Sequence, residues 1–364
     1  MSDREPIEVF KPVIYEDSIA EAMNTLRRGW IGAGPMVAEF EERFSRFVGS
    51  KYCISVSSGS AALHVAMKCL GLPAKSKIMV GAISHISTIN AIIYGNFTPV
   101  FAEVEPRTGN ISVEGARKKL TDDIKAIVCT HMGGCPCDLD ELRRLAHGHG
   151  IPVVEDCAHA IGASYKGNRI GKGDICCFSF SFPKAVTGIE GGAVLTDTEG
   201  YAEGARALRN LGVDQGKKYS ESTDAPVEVG FRYSWNDVMA SIALKQLGHT
   251  GNDNRRRKWI AEKYLKELAE VEGVYLPEYK KDRASSYFFV PIFFDRRDWL
   301  ADRLIERGIR TRVYFRYYNN IYGMSTGHLP HAEWYGQHEL TLPLNISLGD
   351  EELDYIIATI KEGW

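Results

Sequence analysis

The sequence predicts an α/β protein: a large domain with a mostly parallel seven-stranded sheet flanked by helices, followed by a smaller C-terminal α+β domain. Three observations predict it. Short, near-continuous apolar runs alternate with amphipathic stretches from about residue 50 to residue 200, the mark of strands buried on both faces between helices. The pattern changes after the long helical stretch 235–271. The chain has 364 residues, beyond the size at which a single hydrophobic core stops growing.

The strand candidates, in order, are 52-YCISVS-57, 77-KIMVGA-82, 98-TPVFAEV-104, 125-KAIVCTHM-132, 151-IPVVED-156, 174-DICCFSFS-181 and 192-GAVLTD-197. Between them, 60–70, 87–95, 112–120 and 138–150 carry helical periodicity. In 235–271, Gly248 and 251-GNDN-254 are expected to break or bend the helix. Beyond it, 286-SYFFVPIFF-294 and 309-IRTRVYF-315 are predicted strands, and 350–364 a terminal helix. The expected division is residues 1–250 for the large domain and 251–364 for the small one.

A net charge of −3 argues against a general nucleic-acid binder and leaves room for a local basic pocket. The run 255-RRRK-258 reads as a solvated helix face. The N-terminus has neither a basic start nor an apolar stretch fit for a signal peptide or membrane span, so a cytoplasmic protein is expected. Eight cysteines lie mostly in apolar segments, as reduced thiols do. Cys135 and Cys137 are spaced too closely for a CxxC pair and have no partner pair, so no metal is expected.

Three local features carry chemistry. In 55-SVSSGSAALHVAM-67 a strand runs through small residues straight into a helix, whose free N–H groups attract an anion. Taken alone, this reads equally as a capped helix with nothing bound. Asp156 ends a predicted strand, and His159 follows it. Ligands of open α/β sheets gather at that end, although a cap and a structural histidine explain the pair as well. Lys184 stands inside 181-SFPKAVTGIEGGAV-194, as a surface lysine or as an amine kept near neutrality for attack on a carbonyl. Jointly, a helix N-terminus for a phosphate, an acid for a pyridinium nitrogen and a lysine for an aldehyde are what pyridoxal 5'-phosphate (PLP) requires. Gly191 and Gly192 would let the backbone pass close to that cofactor.

The segments 28–67, 83–106, 155-EDCAHAIGA-163, 178-FSFSFPKAVTGIEGGAVLTD-197 and 341–356 together resemble the DegT-type nucleotide-sugar aminotransferases, PLP enzymes of fold type I. The resemblance implies that Lys184 is the cofactor-binding lysine and, with Asp156, catalytic. It implies that Gly59, Ser60 and Ser179 bind the phosphate, that His85 stacks on the pyridine, and that Asp156 and His159 meet its nitrogen and 3-oxygen. Arg232 matches a position from which a neighbouring subunit reaches the phosphate, implying a homodimer with shared active sites. The substrates implied are glutamate and a keto sugar, most often nucleotide-linked. A free keto-sugar acid or keto-cyclitol is the runner-up, and sugar dehydration or a regulatory role the further alternatives. Relatives that dehydrate carry histidine in place of the lysine. This chain departs from the family pattern at Arg232 and Ser234, and in 311-TRVYFRYYNNIYG-323 Tyr318 replaces a histidine that borders the substrate.

Overall fold

Each of the seven apolar runs becomes a strand of one sheet. In the computed structural model, which describes residues 5–213, 226, 228–315, 317 and 320–362, the first five are Tyr52–Val56 (β1), Lys77–Gly81 (β2), Thr98–Ala102 (β3), Ile124–Thr130 (β4) and Val153–Asp156 (β5). A short hairpin, Ser164–Tyr165 (β6) and Asn168–Arg169 (β7), precedes Ile175–Ser179 (β8) and Gly192–Thr196 (β9). The sheet order is β1-β9-β8-β5-β4-β2-β3. Only β9 runs against its neighbours.

Alternation along the strands explains why both faces are apolar. Met79, Ile127, Cys129 and Val153 enter one core with Phe40, Phe44, Phe178 and Phe180. Ile78, Val80, Ala126, Val128 and Val154 enter the other with Val65 and Met67. The accompanying helices are Glu16–Arg28 (α1), Pro35–Val48 (α2), Gly59–Cys69 (α3), Ile86–Tyr94 (α4), Val113–Lys119 (α5), Leu139–His147 (α6) and Glu199–Arg209 (α7). The parallel strands β4 and β5 bring Thr130 level with Asp156, and β5 and β8 bring Asp156 level with Cys177. The carboxyl ends of the central strands therefore open onto one place.

Helix Asp237–Glu267 (α8) differs from expectation, because it runs unbroken through Gly248 and 251–254. Gln246, Thr250, Asp253, Arg257, Ile260 and Tyr264 are all buried along one stripe, and this packing outweighs the weak helix preference of glycine and asparagine. The expected division at residue 250 falls inside this helix.

The remaining elements are Val274–Tyr275 (β10), Arg283–Ala284 (β11), Pro291–Phe294 (β12), Arg297–Glu306 (α9), Asn320–Ile321 (β13), Met324–Ser325 (β14), Pro330–His338 (α10), Glu339–Thr341 (β15) and Asp350–Glu362 (α11). Strands β10, β12 and β15 form a small sheet over a core that includes Ile292, Leu300, Leu340 and Ile356. Two predicted strands shrink. Of 286–294 only the second half pairs in the sheet, because Ser286 and Phe288 bond instead to the carbonyls of Gly134 and Gly133 in the large domain. The stretch 309–315 is no strand: it makes isolated bridges to two different partners, Ile309 to Ile7 and Arg312 to Thr341. The chain near Val9 also bonds to Leu344, so the N-terminal residues pack with the small sheet. Among the described residues, no helix is long and apolar enough to cross a membrane.

Candidate active site

Asp156 ends β5 and Ser179 ends β8, so both lie where the parallel strands stop. There the structure leaves a cavity of about 370 Å³ whose wall includes Gly59, Ser60, His85, Asp156, His159, Ser179 and Lys184. The residues picked from separate segments are thus brought together. Arg232 is not among them.

Helix α3 points its N-terminus at this cavity. Ser58 caps it, accepting a hydrogen bond from the Ala61 N–H at 3.1 Å, and the Ser60 hydroxyl donates to Ser87 Oγ at 2.9 Å. Gly59 is required by crowding, since a Cβ there would lie 2.6 Å from that of Ser179. At Gly191 and Gly192, added Cβ atoms would meet the Trp235 indole at 2.6 Å and the Ser58 carbonyl at 2.3 Å, so neighbouring protein atoms by themselves already demand glycine there.

Asp156 is buried, and its Oδ2 accepts from Thr88 Oγ1 at 2.7 Å. Its Oδ1 accepts from the Ala158 N–H at 3.1 Å. No helix follows, only turns closed by Cys157–Ala160 and Ala160–Ala163 hydrogen bonds, so Asp156 is not a helix cap. His159 is buried and stacks on Phe288 with centroids 4.5 Å apart. Its Nδ1 has no hydrogen-bond partner among the described residues, and such an orphan is uncommon in a finished protein interior. Burial, with the charge of Lys184 and the proximity of His85, holds the His159 imidazole well below its usual value, so the ring is neutral. Next in sequence to Asp156, Glu155 makes a buried ion pair with His131 at 3.1 Å. Burial works against its charge, but His131 and Arg143 prevail and keep the carboxyl below its usual value.

Lys184 sits in a loop folded back on itself. Phe180 N–H donates to Gly191 O at 2.8 Å and Phe182 N–H to Ile189 O at 3.0 Å, while Trp235 Nε1 donates to Glu190 O at 2.9 Å. The half-buried side chain carries its Nζ to 4.6 Å from the Phe288 ring centroid. Burial pushes the amine down to about 8; Arg312 acts in the same direction and Asp156 against it. His85 caps α4, its Nδ1 accepting from the Ser87 N–H at 3.2 Å. Burial, Lys184 and Arg312 together outweigh Asp156 and lower its pKa.

Arg232 is exposed and bridges to Asn210 through its backbone. The nearby acid Asp237 is taken up by the backbone N–H groups of Met36 and Val37. Tyr318 lies outside the described residues. Sequence reasoning missed Thr88, Phe288, Arg312 and Tyr314. The last two lie in the stretch 311–323 that departs from the family pattern; nothing in the local sequence signals the others.

Over residues 12–361 the chain matches the model of the DegT/DnrJ/EryC1/StrS aminotransferase family. It is 33% identical to an uncharacterized protein of Methanocaldococcus jannaschii, over 97% of this chain and 96% of that one. The aminotransferase TlmJ of Streptoalloteichus hindustanus superposes with a TM-score of 0.92 at 32% identity, covering 98% of both chains. The sugar aminotransferase CalS13 of Micromonospora echinospora gives 0.93 at 27% identity, covering 98% of this chain and 100% of that one. The fold is that of the type I PLP-dependent aminotransferases, and the chain belongs to the DegT/DnrJ/EryC1/StrS aminotransferase family of PLP-dependent enzymes.

Proposed function

We propose that the protein moves an amino group from glutamate to a keto sugar carried on a nucleoside diphosphate, using PLP held in this cavity. One observation carries the reading: a buried carboxylate, an unpartnered imidazole nitrogen and an amine with a lowered pKa converge on one cavity. The residues fit the cofactor. Its phosphate would take Gly59, Ser60 and Ser179 at the α3 N-terminus. His85 would lie against the ring, and Asp156 would hold a proton on the ring nitrogen. The neutral His159 would give its orphaned Nδ1 a partner in the 3-oxygen.

When bound, PLP supplies an electrophilic aldehyde and a ring able to accept an electron pair. The chain's own residues do the rest. Lys184, its amine held near neutrality, would hold the cofactor through that aldehyde until a donor amine takes its place. Its freed Nζ then takes the proton from the donor's α-carbon and later returns one. Asp156 would set its carboxylate against the ring nitrogen, where an acid favours the protonated form of that nitrogen. The sugar class is supported by the family and by the similarity to CalS13; the lysine at 184 counts against dehydration.

The same reading includes a homodimer in which Arg232 serves the partner's phosphate site. Phe182 and Ile189, in the Lys184 loop, are 56% and 52% exposed, and Val229 near Arg232 is 86% exposed. Large apolar side chains left bare around a site are what a second subunit covers. The free cysteines suit the reducing cytoplasm.

Borohydride reduction of the loaded protein, followed by peptide mapping, is expected to label Lys184; a label on another lysine overturns the assignment. Incubation with glutamate and a panel of keto sugars, read by mass spectrometry, is expected to aminate a nucleotide-linked sugar. Amination of a free acid or cyclitol alone would replace that substrate class with the runner-up.

A further inference from the structure

Arg312 lines the cavity beside Lys184 and Tyr314, yet the chemistry above gives it no task. Its backbone is held firmly. The Arg312 N–H donates to Thr341 O at 3.1 Å, and the Arg312 carbonyl oxygen accepts from the Thr341 N–H at 2.8 Å. Two residues on, the Tyr314 N–H donates to Oε2 of the buried Glu339 at 3.0 Å, and Thr341 Oγ1 donates to Oε1 of the same carboxyl at 2.6 Å. The small domain thus presents this segment as a fixed wall, from which the Arg312 side chain reaches out.

The guanidinium lies 5.2 Å from the Tyr314 ring centroid. Among the described residues no carboxylate pairs with it, whereas Arg209, Arg283 and Arg297 each have one. Asp156, the buried acid of the cavity, is already bonded to Thr88 and Ala158. The charge of Arg312 is nonetheless felt at the reacting end, at both Lys184 and His85. An exposed, unpaired cation on a rigid wall, facing the nucleophilic lysine, is placed to meet an anion that arrives with the substrate.

We propose that Arg312 binds an anionic group of the substrate, a carboxylate or a phosphate, and thereby selects which molecules reach Lys184. The proposal rests on the aminotransferase reading and deepens it. A guanidinium fork matches either oxyanion bidentately, and lysine reproduces its charge without that geometry. Two sources offer this chemistry: the α-carboxylate of the amino donor, one carbon from the reacting amine, and the phosphate or carboxylate of the keto sugar.

The test uses the loaded enzyme and the variants Arg312→Gln and Arg312→Lys, with the donor and acceptor half-reactions measured separately. Loss of a charge-assisted contact is expected to raise the half-saturation concentration of one substrate roughly 10- to 100-fold. Its maximal rate should change little, and lysine should recover part of the loss. A rise for glutamate assigns the donor carboxylate; a rise for the keto sugar assigns the acceptor's anion. In parallel, glutarate and uridine diphosphate are titrated calorimetrically as non-reacting probes. The probe that mimics the affected substrate should bind the wild-type protein and bind Arg312→Gln at least tenfold more weakly. Unchanged half-saturation and unchanged probe binding overturn the proposal, as does a fall in rate alone. Should the wild-type protein transfer no amine, the proposed function fails, while the titrations still decide whether Arg312 is an anion site.

Discussion

Replacing Asp156 by asparagine isolates one charge. The side chain is 3% exposed, its oxygens held by Thr88 at 2.7 Å and Ala158 at 3.1 Å. An amide of the same shape keeps both contacts: its oxygen still accepts from Ala158, and the Thr88 hydroxyl turns to accept from the new NH₂. The structural cost is one exchanged hydrogen bond, about 1 kcal/mol. What disappears is the negative charge that the proposed function sets opposite the ring nitrogen. Removing one partner of a buried charge pair costs about 3–5 kcal/mol, which is roughly a hundred- to several thousand-fold in rate. Stopped-flow absorbance of the donor half-reaction at saturating glutamate measures the loss, and a thermal melt certifies the fold. A half-reaction within about threefold of wild type, with an unchanged melt, would refute the pyridinium role. The carboxylate would then serve only to close the turn at Ala158.

The Lys184 amine in cofactor-free protein is expected to titrate near 8, against a usual value of 10.5. Reductive methylation of that lysine, followed by peptide mapping, should therefore rise through pH 8. The sign for stability follows from the unfolded chain holding the extra proton between those values, so that this group makes folding more favourable as pH rises across the window. A labelling midpoint near 10 would contradict the desolvated amine. For Arg232, mixing Arg232→Ala with Lys184→Ala is expected to restore activity once subunits exchange, because one site of each mixed dimer then lacks neither residue. No recovery after exchange is verified by tagged pull-down would confine Arg232 to its own subunit or to no site.

The sequence by itself determined the layout of the large domain and most of the cavity wall. Strand β4, for example, is buried on both faces over 126–129 and is written there in uninterrupted apolar residues. The anion turn, Asp156 and Lys184 are each announced by neighbours within a few positions, because strand ends, caps and tight loops are local matters. The tertiary structure alone decided the remainder. Helix α8 survives Gly248 because a buried stripe holds it, a term that no propensity contains. The stretch 309–315 has the residues of a strand but pairs with two separate segments, and pairing partners are a property of the packed fold. Thr88, Phe288 and Arg312 reach the site from positions 68, 132 and 156 residues away from Asp156 along the chain. Their roles come from where the sheet, α4 and the small domain converge, since contacts at such separations are set by packing and leave no local mark.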